Sequence, residues 1–291
     1  MINIDRINKL SQVLASLGFD NIIKFDLYEP EYRVFKRIYE AGVEPRYLAL
    51  IAILAGINDY QLGKGGAEVY WETLLHTFEK FGVINNLSQA EILMKAFLAE
   101  PINARFRNTK IGRLNKLFKL NFCRWLIENY EDTLKNPVML WRRLALDLNN
   151  QMHQKTIVFA MKTFDLTNLI INGEYLPFPE NIPIPVDFHT RNMAISTGII
   201  TEYIDDDEVR EAWDKVARET SKILNKIVNL LRIDSIAWQL GKIAYKNNYK
   251  KEETIENIRK YLTETLKFDN KNANILTIEF TRDIEKIKIK Y

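Results

Sequence analysis

The stretch "LDLNNQMHQKTIVFAMK" (residues 146–162) decides the fold, because one helical pattern ends in it and another begins. The segment from Thr156 to Ala160 is apolar nearly all round, which predicts a buried helix. Asn149 and Asn150 stand where the chain must turn, and asparagine tolerates the left-handed backbone that a tight turn requires. The stretch therefore predicts two helices joined by a short turn, although the turn contains no glycine.

Lys155 stands in the first turn of the second helix, which is an awkward place for a cation. The partial positive charge at a helix N-terminus and burial in the core both disfavour an ammonium group and so favour the neutral amine. A neutral lysine amine is a nucleophile toward an electrophilic carbon. The alternative is a lysine whose stem lies along the protein while its charged end reaches solvent.

A second informative stretch is "IPIPVDFHTRN" (182–192), which holds a single carboxylate. Pro183 and Pro185 fix φ and favour extended geometry in the residues before them, so the chain leading to Asp187 should be stiff. The following residues predict a helix, and an aspartate in this position is a common N-cap. Asp187 is therefore either a structural cap or a carboxylate held in place for chemistry.

Apolar residues recur with helical spacing through most of the chain. In "RINKLSQVLASLGF" (6–19), for example, the apolar residues from Leu10 to Leu17 share one face, and Gly18 ends the pattern. The predicted fold class is all-α. Only "NILTIEF" (274–280) and "IEKIKIKY" (284–291) alternate apolar and polar residues, which predicts a small antiparallel β-ribbon appended to the helical body.

The 291 residues have an ordinary globular composition, 47% hydrophobic and 27% charged. The N-terminal sequence carries charge from Asp5 and lacks the apolar stretch of a signal peptide, and the longest apolar run (47–57) is too short to span a bilayer. We therefore expect a cytoplasmic protein without membrane association. The single cysteine, Cys123, and three histidines without ligand spacing predict no disulfide, no protein-built metal site and no cofactor.

Positive charge is concentrated in one segment, although the formal net charge is only +3. No acidic residue interrupts the basic residues between Pro101 and Arg124, which are Arg105, Arg107, Lys110, Arg113, Lys116, Lys119 and Arg124. Such a run can neutralise phosphates and release counterions, so it predicts contacts with a nucleic acid backbone. The alternative is a helix face that is simply solvated.

Several pieces of the sequence, in order along the chain, together carry a family resemblance. They are "EPEYRVF", "QLGKGGAEVYW", "QKTIVFAMK", "IPIPVD", "EAWDKVARET" and "LRIDSIAWQLGKIA". Over roughly residues 5–265 the chain resembles the archaeal GO glycosylase family. These N-glycosylase/DNA lyases remove 8-oxoguanine and belong to the helix–hairpin–helix glycosylase superfamily. The resemblance implies a two-lobed helix–hairpin–helix DNA glycosylase fold.

The resemblance also implies roles for individual residues. Lys155 would be the Schiff-base nucleophile, and Asp187 would stabilise the positive charge that develops on the deoxyribose. Trp71 and Trp238 would flank the extruded base, and Asp234 would bind its Watson–Crick edge. Independently of the family, Asp234 and Trp238 are four residues apart and so share a face of one helix. Either tryptophan could instead be plain core packing.

Glu31 in "EPEYR" departs from the family pattern, in which a glutamine contacts the base. A glutamate can accept a hydrogen bond but donates one only when protonated. It could accept the N7–H that distinguishes 8-oxoguanine from guanine, or it could be a surface residue. The turn at Asn149 and Asn150 also departs from the usual glycine-rich hairpin, although its backbone N–H groups could still contact phosphate.

The sequence as a whole predicts a bifunctional DNA glycosylase/AP lyase of base excision repair, acting as a monomer on single- or double-stranded DNA that contains damaged guanine. Predicted domains are a central lobe (46–168), a second lobe (1–45 with 169–268) and a C-terminal extension (269–291). The alternatives are a same-fold glycosylase for another lesion, a non-catalytic helical DNA-binding protein, and a helical protein-interaction module.

Overall fold

The computed structural model describes residues 1–287, which divide into two compact units. Unit 1 combines Met1–Tyr28 with the chain from Pro179 onward, and unit 2 is the continuous segment Glu29–Phe178. No strand forms within residues 1–287, where the only β-type pairing is a single bridge between Ile2 and Ile200. The all-α fold class is confirmed.

Seventeen α-helices make up the two units over residues 1–287. Unit 1 begins with α1 (Ile4–Leu17), α2 (Phe19–Ile22) and α3 (Lys24–Leu27). Unit 2 contains α4 (Pro30–Glu40), α5 (Pro45–Gly56), α6 (Gly66–Phe81), α7 (Leu87–Ala99), α8 (Arg107–Lys119), α9 (Phe122–Glu128), α10 (Tyr130–Lys135), α11 (Pro137–Leu148) and α12 (Lys155–Asn172). Unit 1 resumes with α13 (Phe188–Ser196), α14 (Asp206–Leu224), α15 (Leu230–Lys246), α16 (Lys251–Lys260) and α17 (Asn270–Phe280).

Unit 2 is built around the pair α5 and α12. Almost every residue of α5 is buried, as the apolar run 47–57 predicts. At Gly56 the two helices approach so closely that a Cβ atom would lie 3.0 Å from the Ala160 backbone. The Thr163 hydroxyl donates to the Ala52 carbonyl across the same contact at 3.0 Å. This close packing fixes α12, the helix that Lys155 opens.

Unit 1 is built from helices at both ends of the described chain. α1 packs against α14 and α17, and α13 packs against α15. The Ser11 hydroxyl donates to the Val216 carbonyl at 3.1 Å, and the Arg6 guanidinium forms a buried ion pair with Glu279. Part of the core is therefore joined by contacts between residues about as far apart in sequence as the chain allows.

The predicted C-terminal ribbon is wrong for the residues that the structure describes. "NILTIEF" lies inside α17, whose N-cap Asp269 accepts a hydrogen bond from the Asn272 backbone N–H at 2.8 Å. Ala273, Leu276 and Phe280 of this helix are buried, and their spacing is helical. The same residues thus fit both the two-residue period of a strand and the period of a helix, and packing against α1 favours the helix. Residues 288–291 of "IEKIKIKY" lie outside the described residues.

The domain boundaries also differ from the predicted ones. α4 belongs to unit 2 because it packs against α6 and α12. The prediction placed Glu31 and Asp187 in one lobe, but in the structure they belong to different units. Residues 169–178 stay in unit 2 because α12 continues to Asn172, and the Leu176 N–H then donates back to Asp165 at 2.6 Å. The described part of the predicted extension, residues 269–287, packs into the unit 1 core. Over residues 1–287 no helix is both long enough and apolar enough to cross a membrane.

Candidate functional site

Lys155 is the first residue of α12, directly after the extended N-cap Gln154. The helix behind it is buried as predicted, but Lys155 itself is exposed. Helical side chains lean toward the N-terminus, so a side chain in the first position projects off the end of the helix rather than into the core. The predicted burial of Lys155 is therefore wrong. Lys155 does lie, as predicted, at the N-terminus of α12, where the helix dipole places partial positive charge.

The turn before Lys155 has the predicted left-handed geometry. Asn149 ends α11 with φ 56° and ψ 48°, a conformation that asparagine adopts more readily than most residues. The Asn150 N–H donates back to the Ala145 carbonyl at 2.9 Å. The Trp141 indole N–H donates to the Met152 carbonyl at 2.8 Å. These bonds hold the hairpin in shape without glycine, and the hairpin sets where α12 begins.

Asp187 is the N-cap of α13 and forms a reciprocal capping box with Thr190. Its Oδ1 accepts from the Thr190 N–H at 2.9 Å, while the Thr190 hydroxyl accepts from the Asp187 N–H at 2.8 Å. The lead into it belongs to no helix, and Ile184 and Val186 are anchored in the unit 1 core. The structural interpretation is thus confirmed. The same contacts hold this half-buried carboxylate in one position, as a chemical role would require.

Asp234 and Trp238 lie one turn apart on α15, as their spacing predicts. Asp234 is buried, whereas the Trp238 ring is partly exposed. The Trp238 ring meets the His189 ring edge-on, with centroids 6.1 Å apart, and the Lys242 ammonium lies 5.0 Å from the Trp238 centroid. A partly exposed indole beside a cation and an imidazole is suited to stacking on a base.

Trp71 is fully buried in unit 2, contrary to the role of an open stacking platform. Its ring meets Phe35 and Tyr70 edge-on, with centroids 5.3 and 5.1 Å away, and lies 6.4 Å from Phe159. The buried Trp71 Nε1–H has no acceptor among the described residues. An unpaired buried donor is costly and often marks a place where a ligand supplies the acceptor. The ring of Trp71 is thus enclosed, and its indole N–H is the group that lacks a partner among the described residues.

Sequence reasoning missed a buried ion pair near Glu31. Lys162 donates to Glu29 at 2.8 Å, and both side chains are at most 2% exposed. The Lys162 ammonium also lies 5.9 Å from the centroid of Phe159. Lys155, Phe159 and Lys162 follow each other at helical spacing, which places them on one side of α12. A lysine inside the apolar stretch "IVFAMKTF" was the signal that could have revealed this pair.

Breaking this pair should strongly destabilise the protein. We expect Glu29→Gln to lower the free energy of unfolding by about 3–5 kcal/mol, because it removes the Glu29 carboxylate from the buried Lys162 ammonium. Denaturant unfolding near neutral pH measures the change. The matched control is Glu91→Gln at the exposed Glu91–Lys95 pair of α7, which should cost only about 0.5 kcal/mol. Equal small losses in both variants would contradict the structural importance of the buried pair.

The first four residues of the predicted basic run, Arg105, Arg107, Lys110 and Arg113, do not form one exposed row. Lys110 is buried, donates to Asn103 Oδ1 at 3.0 Å and lies 5.2 Å from the Tyr60 ring centroid. Burial lowers the pKa of Lys110 to about 8. The predicted phosphate contact is wrong for Lys110 because its ammonium is held inside unit 2.

Two of the three arginines in this group donate hydrogen bonds to backbone carbonyls of the protein. Arg107 donates to the Glu100 carbonyl at 3.1 Å, and Arg113 donates to the Ile57 carbonyl at 2.8 Å. Arg105 is exposed, as are the remaining cations of the basic run: Lys116, Lys119 and Arg124. The solvent-facing charge of this segment therefore lies mainly on these four residues.

Comparison with known proteins gives a consistent result. A protein named N-glycosylase/DNA lyase from Pyrobaculum aerophilum is 26% identical over 251 residues, which cover 84% of this chain and 89% of the relative. One of the same name from Thermococcus kodakarensis is 29% identical over 242 residues, covering 81% and 84%. The fold is similar to that of crystalline Pa-AGOG, an 8-oxoguanine DNA glycosylase from Pyrobaculum aerophilum complexed with 8-oxoguanosine. That match has a TM-score of 0.68 at 20% identity over 87% of this chain and 96% of the other.

A family model described as AGOG, N-glycosylase/DNA lyase, matches residues 11–274. The matched range includes every predicted catalytic and base-binding residue and parts of both units. Because the match covers most of the sequence, the chain belongs to the AGOG family of N-glycosylase/DNA lyases.

Proposed function

We propose that this protein excises 8-oxoguanine from DNA and then nicks the strand by a lysine Schiff-base mechanism. The observation that carries the proposal is Lys155, which opens a buried helix behind a fixed hairpin within the family-matched range. The fold shared with a protein described as an 8-oxoguanine DNA glycosylase supports the choice of lesion. Enzymes that act on a base inside a duplex swing it out of the stack, at a cost of a few kcal/mol.

In the proposed chemistry the Lys155 amine attacks the deoxyribose C1′, and the C1′–N9 bond breaks as the base leaves with its electron pair. The ammonium formed on Lys155 loses a proton, the sugar ring opens, and an imine links the lysine to C1′. Loss of a proton from C2′ then expels the phosphate from C3′, which nicks the strand. Hydrolysis of the imine regenerates Lys155.

Asp187 would oppose the positive charge that grows on the sugar as the base departs. A preorganised charge stabilises a transition state without needing to reorient during the reaction. The capping box supports this role because it fixes the carboxylate before substrate arrives. Asp187 would also accept and return the protons that the imine chemistry moves.

Base recognition is assigned to Glu31, Trp71, Asp234 and Trp238. A buried carboxylate at Asp234 can accept from the guanine N1–H and the exocyclic amine, and the partly exposed Trp238 ring can stack on the base. Trp71 would contribute its indole N–H rather than the ring face. Phosphate contacts would come from Arg105, the other exposed cations of the basic run, and the backbone of the hairpin at Asn149.

A borohydride trapping panel tests this function. We expect the wild-type protein to form a covalent adduct with a duplex that contains 8-oxoguanine and none with undamaged DNA, since only base release exposes the sugar carbon to stable imine formation. Denaturing electrophoresis measures the adduct and the nicked strand. Adducts confined to another lesion would indicate a same-fold glycosylase with a different base preference. This alternative is specific because Glu31 stands where the family pattern has a glutamine that contacts the base. Salt-sensitive DNA binding without any adduct would indicate a non-catalytic protein.

A further inference from the structure

Unit 2 buries an unbalanced set of charges at the start of α4. The Glu29, Glu31 and Lys162 side chains are buried. Lys162 contacts Glu29 at 2.8 Å. One ammonium can balance one carboxylate, and a second buried carboxylate would carry a large desolvation penalty. Such a group usually takes up a proton instead of remaining charged.

From this cluster we propose that Glu31 works as a neutral carboxylic acid and that its O–H donates a hydrogen bond to a carbonyl oxygen of the extruded purine. The protonation follows from unit 2 alone, whereas the role toward the base rests on the proposed function. A carboxylate in this position would repel a carbonyl oxygen. The neutral acid instead offers one donor and one acceptor, the same pair that the glutamine amide offers.

The surroundings of Glu31 favour its protonated form. Glu29 has the Lys162 ammonium at hydrogen-bond distance. Burial raises the pKa of Glu31 well above its usual value, and the negative charge of Glu29 raises it further. Lys162 and the backbone N–H of Glu31 oppose this shift, while Asp59 after α5 adds to it. Burial is the largest of these effects, and it favours the neutral acid.

The substitution Glu31→Gln is the decisive variant because glutamine keeps the shape and the donor–acceptor pair but cannot ionise. We expect its single-turnover excision of 8-oxoguanine near neutral pH to stay within about threefold of the wild-type rate, while Glu31→Ala loses tenfold or more. At alkaline pH the wild-type rate should fall as Glu31 loses its proton, and the Glu31→Gln rate should not share that fall. A loss of a hundredfold in Glu31→Gln with unchanged duplex binding would overturn the proposal, because it would show that the anion is required.

Two substrate-free measurements keep this inference separate from the proposed enzyme activity. The infrared difference spectrum of wild type minus Glu31→Gln near neutral pH should contain the carbonyl band of a protonated carboxylic acid, and its absence would refute the protonation. Stability gives the second measurement. A carboxyl whose pKa is raised by folding destabilises the fold increasingly as pH rises from its unfolded to its folded pKa. Glu31→Gln should therefore raise the melting temperature at and above neutral pH, and a lower melting temperature would also contradict a neutral Glu31.

If the wild-type protein released no base from any lesion while the acid band was present, the proposed function would fail and the protonated Glu31 would stand. If base release occurred and the band was absent, the reverse would hold. Glu29→Gln serves as the matched comparison, because the same substitution two residues earlier removes the partner of Lys162 and should lower the melting temperature.

Discussion

Replacing Lys155 with glutamine is expected to abolish base release, strand nicking and borohydride trapping on 8-oxoguanine DNA. Removing the nucleophile of a covalent mechanism usually costs at least about 10³-fold in rate. Affinity for the damaged duplex should survive, since one exposed side chain at the start of α12 supplies a small share of the binding surface. Single-turnover assays and a gel-shift titration at fixed salt measure the two properties separately.

The matched control is Lys95→Gln, which removes an exposed lysine of α7 that pairs with Glu91 and has no assigned role in binding or chemistry. It should leave trapping and nicking unchanged. Persistent adduct formation by the Lys155→Gln protein would remove Lys155 from the mechanism. Loss of duplex affinity in step with loss of trapping would show that Lys155 acts mainly in binding.

Asp187→Asn should slow base release by about 10²–10³-fold, the usual cost of losing one preorganised electrostatic partner of a transition state. Stability should change little, because asparagine caps helices about as well as aspartate and its side-chain oxygen can still accept from the Thr190 N–H. The variant therefore removes the charge while keeping the cap. Rates from rapid-quench experiments and thermal melting together separate the chemical role from the structural one.

Asp205→Ala gives the control for capping itself. Asp205 is the N-cap of α14, where its Oδ1 accepts from the Glu208 N–H at 2.8 Å. Losing this cap should cost about 1 kcal/mol of stability with no effect on base release. If Asp187→Asn instead lowered the melting temperature and left the rate of base release intact, Asp187 would be a helix cap and nothing more.

The helices could be predicted from the sequence because their ends are marked by local chemistry. Gly18 ends α1 and Asn149 ends α11, each with a positive φ that glycine and asparagine adopt more readily than other residues. The segment "NILTIEF", wrongly predicted as a strand, has letters that satisfy both a two-residue and a helical period. The N-cap Asp269 was a local signal for the helix. The packing of this helix against α1, by contrast, cannot be predicted from any local pattern.

The details of the candidate site were less predictable, because they depend on the direction and burial of each side chain. The helical pattern predicts only the position of the backbone. An apolar helix predicted a buried Lys155, but the first helical position directs the side chain away from the core. Conversely, Lys110 looked like a surface cation and is buried against Tyr60. The pairing of Lys162 with Glu29 joins residues 133 positions apart, so only the folded chain shows it.

The discontinuity of unit 1 has a consequence during synthesis. Unit 2 is uninterrupted, so all of its helices have been synthesised before residue 179 is added. α1 must wait much longer, because its partners α14 and α17 begin only at Asp206 and Asn270. Until then the apolar face formed by Leu10, Val13 and Leu14 lacks these two partners. Exposed apolar surface of this kind makes a partly folded chain prone to aggregation.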